Sequence, residues 1–532
     1  MPGRVVVQWD KDDCADMGIV KVDLLGLGMM AVLEDCLELI PKHYDLPIDL
    51  AQLPADDPPV YETLRRADTV GMFQVESRAQ MASLPRNAPV KFYDLVVQVA
   101  IIRPGPIVGK MMHPYMRRRQ GKESVAYAHP SLEPILNRTL GVPLFQEQLL
   151  RIAMVAANFT GGEAEDLRRA MGFKRSEERM KKIEAKLRSG MTQNGFRPET
   201  QEEIITQISS FARYGFPESH AASFALIAYA SAYLKQYYLA AFTAALLNNQ
   251  PMGFYSPAVL VHDAQLHGLR VKPIDTLQSE WNCTIERARN KEGQEVPCLR
   301  IGLRYVRGLR QSTVETIVCE RQKRPFEGID DLVRRVPELQ KSELVTLSEI
   351  GALNSFRKGL HRRTALWQVE RAARPAGPLL DAIPEQMELS PLEQMTDEER
   401  LVADFHGSGM STGPHPMTYC RAALAKQQVK RACDLSGLPD GQYTRVAGCV
   451  IARQRPGTAK GFVFLSLEDE TGISNVIVNP DLYEKYRLVI NREKFLRVDG
   501  VLQNQDHTIS IKASHVQPIS ITAAETQSHD FH

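Results

Sequence analysis

Apolar residues recur at helical spacing from Met29 to Ile40 (Met29, Val32, Leu33, Cys36, Leu37, Ile40), and Pro41 predicts where that helix stops. Before it, Val5 to Gln8 and Ile19 to Leu25 are short apolar runs of strand type. From about Tyr61 to Asn249 the spacing is mainly helical, broken by turn-rich links at "RPGP" (Arg103) and "RYGFPESH" (Arg213), and predicts one large α-rich domain. Pro251 to Arg300 is mixed, with a loop predicted at Arg287 to Pro297, and a second helical unit runs from Ile301 to about Asn354. Residues 371–440, rich in Pro, Gly and charge, predict a connector with short helices. Tyr443 to Ser514 then alternates apolar and polar residues in five short runs, "RVAGCVIARQR", "GFVFLSLED", "ISNVIVN", "KFLRVDGVLQ" and "TISIKA", which fit a small closed or partly open barrel.

A length of 532 residues suits roughly three or four domains. The formal net charge of +1 conceals local asymmetry: "RPGPIVGKMMHPYMRRRQGK" (Arg103 to Lys122) carries six Lys/Arg and no acid, so a polyanionic partner is not excluded. The eight cysteines are scattered, without a CxxC pair or a His cluster at zinc-ligand spacing, which favours a reducing cytosol over a disulfide or zinc framework. The N-terminal residues lack the apolar core of a signal peptide, and the most apolar segment, Ala221 to Leu247, is interrupted by Lys235 and Gln236. That falls short of the ~20 apolar residues of a spanning helix. The expectation is a cytoplasmic protein with no membrane partner.

Several stretches could carry chemistry. As a strand, "IVKVDLL" projects Lys21 and Asp23 from one face; a carboxylate there can hold Mg²⁺ and a lysine can meet a phosphate, whereas the plainer reading is a local ion pair or a capping Asp. In "LRRAMGFKRSEERMKKIEAKLR" (Leu167 to Arg188), nine Lys/Arg face three Glu. After Ser176 a solvated helix face accounts for the charge, but Arg168, Arg169, Lys174 and Arg175 crowd one glycine as if collected by an anion. In "FARYGFPESHAASFALIAY", Tyr214, Gly215, Phe216 and Pro217 make an aromatic turn, and Ser219 and His220 open a long helix whose N-terminus suits an anion. Ser219 as an ordinary N-cap and Phe216 as a hydrophobic staple explain the same residues.

Two glycine turns, "YVRGLRQ" (with Arg307, Gly308 and Arg310) and "LSEIGALNSF" (with Gly351), match helix-hairpin-helix turns, whose backbone N–H groups hold DNA phosphate without reading bases. Seven Lys/Arg against two Glu between Arg300 and Arg324 suit the first, whereas Glu343 and Glu349 flank the second and favour a structural role. The barrel's first hairpin carries Arg453, Arg455, Lys460, Phe462 and Phe464, a cation and aromatic mixture suited to single strands, with core packing accounting for at least one phenylalanine.

Taken in order, "VKVDLLGLG", "GMFQVESRAQM", "IIRPGPIVGKM", "GVPLFQEQLLRIA", "LRRAMGFKR" and "YGFPESHAASFALIAYASAYLK" make the chain resemble the bacterial C-family DNA polymerases (the polymerase III alpha subunit), most closely their error-prone branch. The resemblance implies a multidomain α+β fold: residual palm strands (1–28), large α-helical fingers (29–300), tandem helix-hairpin-helix (301–370), a connector (371–440), an OB-type β-barrel (441–516) and a tail (517–532). In that family three palm aspartates hold two Mg²⁺ ions; the resemblance puts Asp23 on the third and Lys21 on a neighbouring phosphate-side lysine. Arg103, Arg168, Arg169, Lys174, Tyr214, Gly215, Phe216, Ser219 and His220 carry over as contacts to the incoming nucleotide. Arg307, Gly308, Arg310, Gly351, Arg453, Arg455, Lys460 and Phe462 are expected to meet DNA.

The family's other two aspartates form an Asp-x-Asp motif upstream of the matching segment, and Asp10, Asp12 and Asp13 do not replace them. The expectation is therefore DNA-templated nucleotidyl transfer in error-prone, damage-tolerant (translesion) synthesis, carried by a C-terminal piece that is inactive alone. The expected partners are primer-template DNA, deoxynucleoside triphosphates, other damage-tolerance polymerase proteins and, indirectly, the sliding clamp. The alternative is a non-catalytic DNA-binding or partner-binding module of fingers, hairpins and barrel.

Overall fold

The computed structural model describes residues 7–9, 11–20, 24–102, 112–172, 177–211, 216–290, 292–372, 390–506, 508–519 and 528–531. They fall into two compact units, Met1–Met30 with Pro54–Ala232, and Ala31–Leu53 with Tyr233–His532. Among the described residues no helix is long and apolar enough to cross a membrane.

In the first unit, the expected palm strands are not found among the described residues. Lys11–Asp16 is a short helix, Ile19, Val20 and Leu24 are irregular, and Leu25 lies in a turn. Val20 is 82% exposed and Leu24 65%. Apolar alternation makes a strand only where a neighbour satisfies its backbone and covers its apolar face, and Ile19, Val20 and Leu24 belong to none of the strands found among the described residues.

The rest of the unit is helical, as the spacing predicts. Asp57 caps the helix Pro58–Arg65 by accepting the Val60 N–H at 3.2 Å, with Pro58 in the first turn, where its missing N–H costs nothing. In the helix Phe92–Ile101 every residue from Asp94 onward is buried, including a polar one, Gln98. Gln98 donates to Gln80 Oε1 and Ser83 Oγ, both at 2.6 Å, and accepts from Asn87 Nδ2 at 3.0 Å. Arg119 closes the same network on Asp94 Oδ2 at 2.7 Å. The basic run of the sequence is thus partly consumed inside the protein, since Arg118 also binds Glu123 at 3.0 Å and the Leu140 carbonyl at 2.7 Å. Gly190 lets the helix Glu177–Gln193 lie against the end of the helix Gln146–Ala157: a Cβ there would stand 2.3 Å from the Ala157 carbonyl oxygen.

In the second unit, the helix Leu27–Tyr44 runs through Pro41 instead of stopping before it. Pro41 falls in the last turn, and burial of Val32, Leu33, Cys36 and Ile40 outweighs the lost hydrogen bond. The lysine that interrupts the apolar run is explained too: Lys235 is buried and ion-paired to Asp263 Oδ2 at 2.8 Å. The predicted loop at Arg287 to Pro297 is mostly strand. β1 (Val271–Lys272), β2 (Thr284–Arg289) and β3 (Glu295–Arg300) form a sheet in the order β1-β3-β2. Asn290 turns the β2–β3 hairpin, its Oδ1 accepting the N–H groups of Glu292 (3.0 Å) and Gln294 (2.8 Å).

Helices Gln311–Lys323, Ile329–Arg335, Lys341–Glu349 and Arg362–Ala372 follow. The connector contributes helices Asp397–Ser408 and Pro416–Lys426. The five predicted runs are the five strands of a closed barrel, β4 (Tyr443–Gln454), β5 (Val463–Asp469), β6 (Gly472–Val478), β7 (Phe495–Gln505) and β8 (Thr508–Pro518), closed by β4 pairing with both β5 and β7. The helix Pro480–Arg492 lies between β6 and β7 in sequence, and β9 (His529–Phe531) adds parallel to β4, so the last described residues are not a loose tail. Val446, Val463, Leu465, Leu467, Val476, Leu496, Val498 and Ile511 fill the barrel.

Candidate nucleotide and nucleic-acid interface

Lys21, Asp23, Arg103, Lys174, Tyr214 and Gly215 lie outside the described residues, as does the side chain of Arg169. The remaining expected nucleotide contacts gather on one surface of the first unit. Phe216 begins a ladder of rings: it meets His220 edge-on at 5.2 Å, His220 meets Phe224 at 4.2 Å, and Phe224 meets Phe73 at 5.3 Å. Within the helix Glu218–Tyr237 the i, i+4 spacing produces the His220–Phe224 contact, and the turn before the helix folds Phe216 back onto His220. The Phe216 carbonyl accepts the Gln146 N–H at 3.2 Å, which ties this turn to the start of another helix.

The helix after the turn is Glu218–Tyr237, so Ser219 lies within its first turn and is not the N-cap. The anion slot at its start is already in use. Glu147 Oε2 accepts the Glu218 N–H at 2.8 Å, placing a carboxylate where the helix dipole favours negative charge. Glu218 Oε1 in turn accepts from the Tyr93 hydroxyl at 2.8 Å, and the Arg138 guanidinium lies 3.7 Å above the Tyr93 ring. Burial, with Glu218 beside it, raises the pKa of the Tyr93 hydroxyl.

Arg168 stands at the same surface. Its guanidinium forms a fork with Glu165 (2.6 and 2.9 Å), and Glu147 adds to the negative field around it. The sequence singled out the cations and rings here but missed Glu165, which holds Arg168, Glu147, which occupies the start of the helix, and Glu218, which binds Tyr93. A phosphate entering would compete with carboxylates for ready-made donors.

In the second unit the two glycine turns differ. Gly308 has φ +80° with nothing within 4 Å of a Cβ position, and Arg307 beside it is exposed. The N–H groups opening the helix Gln311–Lys323 have no intrahelical carbonyl to bind, which suits a phosphate. Arg310 is held instead: its own N–H, Nε and Nη2 donate to the buried Glu343 carboxylate at 3.1, 2.9 and 2.9 Å. Gly351, also expected at DNA, is packed. A Cβ there would stand 2.9 Å from Arg362 Nε and 3.0 Å from Asn354 Nδ2.

On the barrel, Arg453 is a correction. Expected at DNA, it is 7% exposed and caps a helix end, donating to the Ile490 carbonyl at 2.6 Å and to the Glu493 carbonyl. Arg455 is exposed over the Tyr483 ring at 4.7 Å, and Lys460 is exposed in the β4–β5 hairpin. Phe462 and Phe464 are both half-buried and neither belongs to the barrel core, because Val463, Leu465 and Leu467 take its inward positions. Core packing therefore accounts for neither ring.

A model of the bacterial DNA polymerase III alpha subunit finger domain matches residues 29–195. A helix-hairpin-helix motif model matches residues 268–365, and an OB-fold nucleic acid binding domain model matches residues 444–519. An error-prone DNA polymerase of Anaeromyxobacter dehalogenans (strain 2CP-C) is 46% identical over 545 residues, covering 100% of this chain and 48% of that protein. Error-prone DNA polymerase 2 of Rhizobium meliloti (strain 1021) is 44% identical over 540 residues, covering 100% and 49%. The error-prone DNA polymerase of Alkalilimnicola ehrlichii is 43% identical over 534 residues, covering 100% and 51%. The crystal structure of asparaginyl-tRNA synthetase from Pyrococcus horikoshii is similar over only 16% of this chain and 21% of that chain, at 21% identity and a TM-score of 0.14, and carries no argument. Spanning about half the length of the curated relatives it matches, the chain belongs throughout its own length to the bacterial C-family DNA polymerases, on their error-prone branch.

Proposed function

We propose that this chain serves DNA-templated nucleotidyl transfer in error-prone, damage-tolerant synthesis, binding primer-template DNA and the incoming deoxynucleoside triphosphate. The observation that carries this reading is similarity along 100% of the chain to proteins named error-prone DNA polymerase. Phe216 and His220 offer aromatic faces to a base or sugar. Arg168 meets a phosphate by exchanging its fork with Glu165, the same planar geometry accepting either anion. The Gly308 turn, Arg455, Lys460 and Phe462 hold the DNA backbone and unpaired bases.

Asp23, by resemblance, is an oxygen ligand for Mg²⁺. A two-metal site needs several oxygen donors; Asp23 supplies one, and Ile19, Val20, Leu24 and Leu25 around it supply none from their side chains. The residues present do not make such a site by themselves. The purified 532-residue chain is expected to bind primer-template DNA and to give no primer extension with Mg²⁺ and the four deoxynucleoside triphosphates. Extension abolished by Asp23→Ala would overturn the inactivity, and failure to bind DNA at low salt would overturn the assignment itself. The matches to two nucleic-acid-binding modules favour a second reading, a DNA-binding piece without chemistry of its own. It gains if supplying the Asp-x-Asp half of a relative in trans restores no extension.

A further inference from the structure

Alternation along β5 directs Val463, Leu465 and Leu467 into the barrel and Glu468 to the other face. Glu468 is nevertheless buried, because the helix Pro257–Leu266 and the segment around His415 meet it across a small cavity. His262 Nδ1 lies 3.0 Å from Glu468 Oε1, and His415 Nε2 lies 3.5 Å from Oε2. The two imidazole rings stack with centroids 4.6 Å apart. One donor atom from each side chain falls within 4.8 Å of the other two. Burial alone would drive a proton onto Glu468, yet the two imidazoles keep its carboxyl below the usual range.

We infer that His262, His415 and Glu468 bind one divalent cation of the zinc class, with water as fourth ligand, fastening the barrel to the helix Pro257–Leu266. Nitrogen and carboxylate donors from elements far apart in sequence converge on one small cavity, a donor set that suits borderline divalent metals. Metal–ligand bonds of about 2.0–2.1 Å in a tetrahedron set the donors roughly 3.4 Å apart; the two Glu468 oxygens each lie near that distance from one imidazole, and the three donors, within 4.8 Å of one another, close the rest of the way on loading. The cavity holds about 40 Å³, against roughly 10–15 Å³ for one water, so an ion and a water fit.

The metal-free state has its own hydrogen-bond pattern. His415 Nδ1 accepts the Met417 N–H at 3.2 Å, so the ring hydrogen sits on Nε2 and points to Glu468. Loading a cation at Nε2 requires the ring's single hydrogen to shift from Nε2 to Nδ1, which can then no longer accept the Met417 N–H, so one neutral cap bond at the start of the helix Pro416–Lys426 is given up. The inference is independent of the polymerase reading.

The test uses the full chain, stripped with chelator and dialysed against Zn²⁺ or Co²⁺ alone. Elemental analysis is expected to find one metal per chain, and the Co²⁺ form to show tetrahedral visible bands. His262→Gln and Glu468→Gln are each expected to weaken metal affinity at least about tenfold and to remove those bands. Equal metal content in wild type and Glu468→Gln, or bands unchanged by either substitution, overturns the site. Should either substitution unfold the chain, the wild type decides: a Co²⁺ form without tetrahedral bands leaves only a carboxylate accepting two imidazole hydrogen bonds.

Discussion

Arg453 and Arg455 are near neighbours at the end of β4 and do opposite work. Both were expected at DNA, but β4 is buried continuously from Val446 to Arg453, because Val446 and Val450 face the barrel core while Cys449 and Ile451 face the helix Pro257–Leu266 and Arg453 meets the helix Pro480–Arg492. Period-two reasoning fails where a strand is covered on both faces. Arg453→Met would leave the carbonyls of Ile490 and Glu493 without their donor, at a cost of about 1–3 kcal/mol. Hydrogen exchange should therefore speed up at the end of the helix Pro480–Arg492, while the slope of log Kd for DNA against log salt stays unchanged. Arg455→Met should do the reverse, leaving exchange alone and lowering the slope by about 0.7–0.9. A slope change with Arg453→Met and none with Arg455→Met would reverse the assignment of these two residues.

At the scale of elements, the two glycine turns were legible as hairpins, and what the sequence hid was that the acid beside the second turn holds the arginine of the first. Glu343 lies well downstream of the first turn, yet its carboxylate accepts from the Arg310 N–H and guanidinium and from the Gln340 N–H at 2.8 Å. Burial alone would raise its pKa, but the Arg310 and backbone donors more than offset this and hold it below the usual glutamate range. A carboxylate with a lowered folded-state pKa stabilises the fold above the unfolded value, near 4.3, and loses that contribution as pH falls through the folded value. Glu343→Gln should lower the unfolding free energy at neutral pH by about 1–3 kcal/mol. The gap between variant and wild type should close in acid; a gap of constant size from pH ~7 to pH ~3 would show that charge at Glu343 is not what stabilises the hairpins.

Other elements show the same division between local and distant causes. The helices from Tyr61 to Asn249 and the five barrel runs were legible because their periodicity is local. Pro41 misled because its helix is held by buried residues on earlier turns. The nucleotide surface was legible as a set of cations and rings. Glu165, one turn before Arg168, pairs with it locally, whereas only the fold brings Glu147, from the helix Gln146–Ala157, to the Glu218 N–H.

For the molecule as a whole, the near-zero net charge conceals how charge is used, since Arg118, Arg119, Arg310 and Arg453 are spent on internal partners. What remains for long-range folding is apolar burial, and each compact unit has its own. Leu95 is fully buried in the first unit and Leu465 in the barrel of the second. Separate cores unfold as separate cooperative steps, so calorimetry should not give a single two-state transition. Leu95→Ala and Leu465→Ala each open a cavity costing about 2–5 kcal/mol, and each should lower one transition while sparing the other. If both substitutions shifted one common transition equally, the two cores would be a single cooperative system, and the independence of the units would be wrong.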